Sequence, residues 1–209
     1  MPKRIPILLY IIIVFTLNIC ASDKTMVIKF GPCWPEDLKH SERTTALNWS
    51  FLSGINFEKV VSLGAAFDFL WNKSIKEDQI ARHIFKEELL ERTLMFPLTA
   101  FISISPLPDC IVTPSLSGQA GIGFMHYSKK DVEIVETRPE LYDENGWYFG
   151  AVYKLALDAL INIKPKVGLF GGVDHLWSKP KKMRRSDPHL FTRRNMNGWG
   201  LRCGVNLIY

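Results

Sequence analysis

The sequence has few cysteines, four in 209 residues, and none is spaced as Cys-x-x-Cys. So few cysteines exclude a disulfide framework, and the missing spacing excludes a cysteine zinc site. The predicted strands place Cys33, Cys110 and Cys203 far apart, so we expect no disulfide between them. The histidines show no ligand spacing either, and we predict no metal and no cofactor.

The sequence also has only one long hydrophobic run, Leu8–Ile19. Lys3 and Arg4 precede this run and Ala21 follows it, which is the pattern of a secretory signal peptide. We therefore predict a leader at residues 1–21, export, and one domain at residues 22–209. Acylation of Cys20 as a lipoprotein is a less favoured alternative, because a bulky isoleucine precedes it. With no second run, any membrane segment has to cross as strands.

Strong charge of either sign is absent as well. Apolar residues make up 47% and charged residues 22%, which excludes a disordered chain. The formal net charge is +5, and two of the positive charges, Lys3 and Arg4, belong to the leader. The small remaining excess does not predict a nucleic-acid partner.

Alternation with a period of two residues is the strongest pattern present. In the last segment, Trp199, Leu201 and Cys203 alternate with Gly200 and Arg202, which predicts a strand with one apolar face. Eight segments show this pattern: Thr25–Cys33, Leu47–Phe57, Val60–Asn72, Thr93–Ser105, Ile111–Tyr127, Trp147–Ile161, Val167–Trp177 and Trp199–Tyr209.

The predicted connections alternate between long and short. Glu58-Lys59, Pro106–Cys110 and Asn162–Lys166 are short, whereas the other four are long and charged: Pro35–Ala46, Lys73–Arg92, Lys129–Gly146 and Ser178–Gly198. This alternation is typical of an up-and-down barrel in an outer membrane, with short periplasmic turns and long outer loops. The long connection Lys73–Arg92 also has the apolar spacing of a short amphipathic helix, although a charged loop is the favoured reading.

Two features favour an apolar face that points outward. The tryptophans stand at the ends of the predicted strands beside long loops, as an aromatic girdle would: Trp49, Trp71, Trp147, Trp177 and Trp199. The other face carries charges of both signs that can pair in a narrow lumen: Lys29, Lys154, Arg202, Asp68, Asp158 and Asp174. A secreted lipocalin-like binder of a small ligand, with the apolar face inward, is an alternative. Side chains fill an eight-stranded barrel, so we expect no wide pore.

With these strands the chain resembles the small outer-membrane β-barrel families, the opacity-type and OmpX-like barrels. The resemblance lies in the stretches 53–69, Pro97–Ser103, Gly118–Phe124 and Gly204–Tyr209. It implies an all-β, porin-like transmembrane barrel in the outer membrane of a Gram-negative-type bacterium. It also implies contact with the barrel-assembly machinery, and we expect a monomer. A fold of this kind does not fix a function.

The last long loop is the strongest candidate for binding. It carries seven basic residues, which predict contact with lipopolysaccharide phosphates or acidic surface polymers. These residues are Lys179, Lys181, Lys182, Arg184, Arg185, Arg193 and Arg194.

Our main prediction is a protein without catalytic residues. The alternative from a different functional class is an enzyme, a lipid-modifying hydrolase of the outer membrane. His126-Tyr-Ser128 resembles the His-x-Ser element of outer-membrane lipid A deacylases, with Glu133, Glu136 or Glu140 as the third member of a triad. Lys129-Lys-Asp follows this element where the deacylases have an asparagine-rich stretch, which weakens the resemblance.

Overall fold

The computed structural model describes residues 23–37, 45–57, 59–81, 85–108, 110–135, 138–164, 166–183 and 193–209. The side chains of residues 23, 74–81, 85–90, 131–135 and 138–143 are outside this description. The expected leader at residues 1–21 lies outside it too. No helix among the described residues is long and apolar enough to cross a membrane.

Strands make up most of the described chain. They are β1 (Asp23–Pro35), β2 (Ala46–Phe57), β3 (Val61–Ala81), β4 (Phe85–Ile104), β5 (Val112–Val135), β6 (Arg138–Lys164), β7 (Val167–Ser178), the two-residue β8 (Lys181–Lys182) and β9 (Gly198–Ile208).

The long strands form one closed antiparallel barrel. Each of β1 to β6 pairs with the next strand along the chain, and β9 pairs with both β7 and β1, which closes the sheet. The short strand β8 pairs with β6 beyond the end of β7. Closure leaves none of the eight long strands in the described part of the chain as an edge strand, so each of them has a neighbouring strand on both sides. The eight predicted strands and their antiparallel order are confirmed.

Two of the predicted long loops are wrong. The connection Lys73–Arg92 forms no helix or loop in its described part, because β3 and β4 stay paired from Lys73↔Arg92 to Ala81↔Phe85. The connection Lys129–Gly146 is likewise a hairpin that stays paired up to Val135↔Arg138. The apolar alternation is absent from these segments because both faces of the strands extend beyond the apolar surface of the barrel. The backbone pairing continues, since each further residue extends a ladder that already exists.

The outside of the barrel is apolar around its circumference. Outward-facing side chains on every long strand are large, apolar and exposed, for example Phe30, Phe51, Phe67, Leu98, Ile122, Leu157, Leu169 and Leu201. A soluble protein rarely exposes a continuous surface of this kind, and lipid is the solvent that suits it. The predicted outward direction of the apolar face is confirmed, and the lipocalin-like alternative is wrong.

Candidate functional site

A layer of ion pairs crosses the middle of the lumen. Lys154 pairs with Asp68, and Arg202 pairs with Asp174. Lys29 Nζ lies 2.5 Å from Asp158 Oδ2. All six side chains are buried, so each charge depends on its partner rather than on water. We call these residues the charge layer, and the predicted pairing of lumen charges is confirmed.

An apolar layer lies beyond the charge layer, toward the long hairpins. Met95 and Met125 meet across β4 and β5, and Leu70 of β3 packs in the same cluster. Met196, which precedes β9, is only 1% exposed and belongs to this cluster as well. The lumen is therefore filled with side chains at this level, as a narrow eight-stranded barrel requires.

A second polar cluster closes the lumen beyond the apolar layer. Arg194 Nη2 donates to Glu144 Oε2 at 2.7 Å, and Arg194 Nη1 lies 3.6 Å from Asp37 Oδ2. The same guanidinium lies 3.6 Å from the ring centroid of Tyr127. The Tyr148 hydroxyl donates to Glu144 Oε1 at 2.9 Å. Burial raises the pKa of Asp37 above its ordinary value, and the Arg194 charge opposes that shift only in part.

Tryptophans mark a boundary on the outer surface. Trp49, Trp71, Trp147, Trp177 and Trp199 all point outward and are exposed, which suits the interface between lipid and water. Trp71 and Trp147, however, lie well inside β3 and β6 rather than at strand ends. The girdle thus marks the edge of the apolar surface, and these strands continue past it.

Basic side chains follow the girdle on the same outward face. Lys73 comes two residues after Trp71, and Lys179 and Lys181 come two and four residues after Trp177. Arg92 is the cross-strand partner of Lys73, and Arg193 is the cross-strand partner of Lys181. We call these five residues (Lys73, Arg92, Lys179, Lys181 and Arg193) the cation belt. Four of them are exposed, and Lys73 is half-buried.

The acidic side chains described near the belt face elsewhere or are engaged. Glu91, next to Arg92 in sequence, is buried in the lumen and accepts a hydrogen bond from the Tyr127 hydroxyl at 2.9 Å. Glu144 is buried against Arg194. Glu36 is exposed and accepts a hydrogen bond from Asn195 Nδ2. Strand alternation therefore turns Glu91 and Glu144 inward and the cations of the belt outward at this level.

Comparisons with known proteins give a structural likeness without a sequence match. No family model and no curated protein matches the sequence. Neisserial surface protein A (NspA) is 12% identical, with a TM-score of 0.50 over 88% of this chain and 95% of that one. Ail of Yersinia pestis is 10% identical, with a TM-score of 0.48 over 90% and 99%. OprG of Pseudomonas aeruginosa is 11% identical, with a TM-score of 0.48 over 90% and 96%.

The likeness to NspA concerns the fold, and it agrees with the closed barrel and the apolar exterior described above. The chain is a transmembrane β-barrel of the outer-membrane type.

The basic residues predicted in the last loop of the barrel do not form one group. Lys179, Lys181 and Arg193 are exposed on the outer surface, and Lys182 is half-buried beside Gly146. Arg194 points into the lumen and is engaged by Glu144 and Asp37, contrary to the exposed position that we expected. Arg184 and Arg185 lie outside the described residues. The sequence missed Lys73 and Arg92, because they lie in the segment predicted as a loop.

His126 and Ser128 lie on the outer surface of the barrel, on the predicted lipid side. The His126 ring is 4.9 Å from that of Trp147, and Ser128 pairs with Arg92 and Asn145 on the adjacent strands. Glu133 and Glu140 pair with each other seven positions along β5 from His126, which is about 23 Å at the rise of a strand. Glu136 lies outside the described residues. The register therefore keeps Glu133 and Glu140 out of reach of His126.

Proposed function

We propose that this chain is an outer-membrane protein of a Gram-negative-type bacterium whose cation belt binds the phosphate groups of lipopolysaccharide. Its role is that of a structural or surface-interaction barrel. Export by residues 1–21, delivery through the barrel-assembly machinery and a monomeric state belong to this proposal.

The observation that carries the proposal is the presence of two cross-strand pairs of like charge. Lys73 stands directly opposite Arg92, and Lys181 stands directly opposite Arg193. Like charges directly opposite each other destabilise a sheet. An anion bound between the two cations replaces their repulsion with attraction, and its phosphate oxygens accept hydrogen bonds from both side chains.

The position of these pairs supports a phosphate at the membrane surface. They follow the tryptophan girdle by a few residues, and the girdle marks the level where apolar chains give way to headgroups. Long basic side chains place their stems along apolar surface and their charges at the headgroup level. Lipid phosphates at that level lie within reach of the belt.

Barrel stability with and without phosphorylated lipid tests the proposal. We expect bisphosphorylated lipid A to raise the unfolding temperature of the wild-type barrel, and dephosphorylated lipid A to raise it much less. The variant Lys73→Gln/Arg92→Gln/Lys181→Gln/Arg193→Gln should lose most of this difference. In a phosphate-free nonionic detergent it should be at least as stable as the wild type, because its like-charge pairs are gone.

The matched control is Lys164→Gln/Lys166→Gln, since both lysines are exposed at the opposite end of the barrel. It should respond to phosphorylated lipid A as the wild type does. Equal stabilisation of the wild type and the belt variant would refute the proposal. The shift in gel mobility between unboiled and boiled samples reports a closed barrel in every variant.

A further inference from the structure

The end of the lumen that carries the short turns holds an open cavity of about 700 Å³. The Lys29–Asp158 pair and Phe170 form part of its lining, and Lys29 Nζ lies 4.6 Å from the centre of the Phe170 ring. Residues of the short turns, such as Lys59, Pro108 and Lys166, also line it. The cavity is therefore a cup that opens at the turn end and extends inward to the charge layer.

Hydroxyl and amide groups make up much of the wall of the cup. Thr25 Oγ1 donates to Asn206 Oδ1 at 2.6 Å, and the Ser103 and Ser115 hydroxyls lie 2.7 Å apart. Such groups retain donors or lone pairs for a bound molecule. Ser117 is 3% exposed, and its hydroxyl has no hydrogen-bond partner in the part of the chain that the structure describes. A buried hydroxyl of this kind needs a hydrogen-bond partner, which a molecule bound in the cup can supply.

Among the described residues, the lining also carries an excess of positive charge. Its described cations are Lys29, Lys59, Lys164 and Lys166, and its described acid is Asp158. Asp158 is already paired with Lys29. Lys164 and Lys166 are exposed at the mouth of the cup, where they attract anions and slow their escape.

We propose that the cup binds a small organic anion that also carries hydroxyl groups, and that this anion enters from the turn end. The cavity volume suits a molecule the size of a sugar phosphate or a hydroxycarboxylic acid. The lysines recognise the anionic group, and the serine, threonine and asparagine side chains recognise the hydroxyl groups. This site lies at the opposite end of the barrel from the cation belt and does not depend on it.

Isoleucine-methyl NMR of the refolded barrel tests the proposal, in a polyoxyethylene detergent that contains neither lipid nor phosphate. Ile163 and Ile208 line the cup, whereas Ile102 and Ile122 lie on the outer surface. The probes are citrate, glucose 6-phosphate and neutral glucose. We expect saturable shifts of the Ile163 and Ile208 methyls with one or both anions, steady Ile102 and Ile122 signals, and far weaker binding of glucose. The anion that binds more tightly identifies a carboxylate or a phosphate as the recognised group.

Variants of Lys164 and Lys166, at the mouth of the cup, test whether these lysines contribute to anion binding. Lys164→Gln/Lys166→Gln should weaken anion binding about tenfold, as the loss of two partly screened charges implies. Lys164→Arg/Lys166→Arg should retain most of it, and Lys130→Gln, exposed on the β5–β6 hairpin at the other end, should leave it unchanged. Absence of saturable shifts at Ile163 and Ile208 in a correctly folded barrel would overturn the proposal. Equal binding of glucose, or no effect of the glutamine pair, would overturn it as well.

Discussion

The ion pair between Asp68 and Lys154 offers the sharpest test of how the lumen is stabilised. Asp68 is 1% exposed and Lys154 is 3% exposed, and Arg202 Nη1 lies 3.9 Å from Asp68 Oδ1. The variant Asp68→Ala leaves the lysine charge buried without its partner, which costs about 3–5 kcal/mol in proteins. We therefore expect the folding equilibrium constant to fall roughly a hundredfold or more.

A double-mutant cycle separates the pair from its surroundings. In Asp68→Leu/Lys154→Met both charges are replaced by apolar groups, and such replacements are often neutral or stabilising. The double variant should therefore be much more stable than the sum of Asp68→Leu and Lys154→Met predicts. Lys166→Gln, exposed at a turn, is the surface control and should change stability by less than about 0.5 kcal/mol.

Reversible urea unfolding in lipid vesicles, followed by tryptophan fluorescence, measures these differences. The outward tryptophans sit at the lipid boundary, so their emission reports loss of the membrane-embedded barrel. If Asp68→Ala costs less than about 1 kcal/mol, or if the two single variants add without coupling, the partnered charges of the charge layer do not stabilise the barrel.

Three further outcomes follow from the packing. Gly204→Ala should lower the yield of folded barrel, because an added Cβ would collide with the Ile28 carbonyl on the adjacent strand. Gly171→Ala is the control and should fold normally, because a Cβ has room there. Heat-modifiable gel mobility measures the folded yield of both variants, and equal yields would contradict the collision at Gly204. Arg194→Ala should speed protease cleavage between residues 178 and 197, because the buried Glu144 loses its partner; unchanged cleavage would mean that the pair does not secure this segment. In planar bilayers the wild-type barrel should show no steady conductance, since the charge layer and the apolar layer fill the lumen; a stable open current would contradict that filling.

The strands within the apolar zone could be predicted from the sequence because alternation and the lipid boundary coincide there. Each residue on the outward face of β2 or β4 has to be apolar, so the period of two is visible in the letters. The six charges of the lumen could be predicted for the same reason, since a charge on that face has no place in lipid. Beyond the girdle both faces meet water, the pattern disappears, and the paired parts of β3 to β6 read as loops.

The candidate sites show the same division. Lys179, Lys181 and Arg193 were found because basic residues cluster in the sequence around them, but Lys73 and Arg92 join them only through the pairing of β3 with β4. The inward turn of Arg194 depends on Glu144, fifty positions away along the chain. Spacing along one segment carries no information on such a partner.

The sequence by itself determined that this chain forms an eight-stranded barrel with its apolar face outward. Alternation of apolar and polar residues is a local property of each strand, and lipid imposes it on every strand that crosses the membrane. Tertiary structure alone decided which charges meet in the lumen, which cations stand opposite each other in the cation belt, and where the cup lies. These features depend on the register between strands and on the closure of β9 against β1. Register places residues far apart in sequence at the same level, and no single strand contains that information.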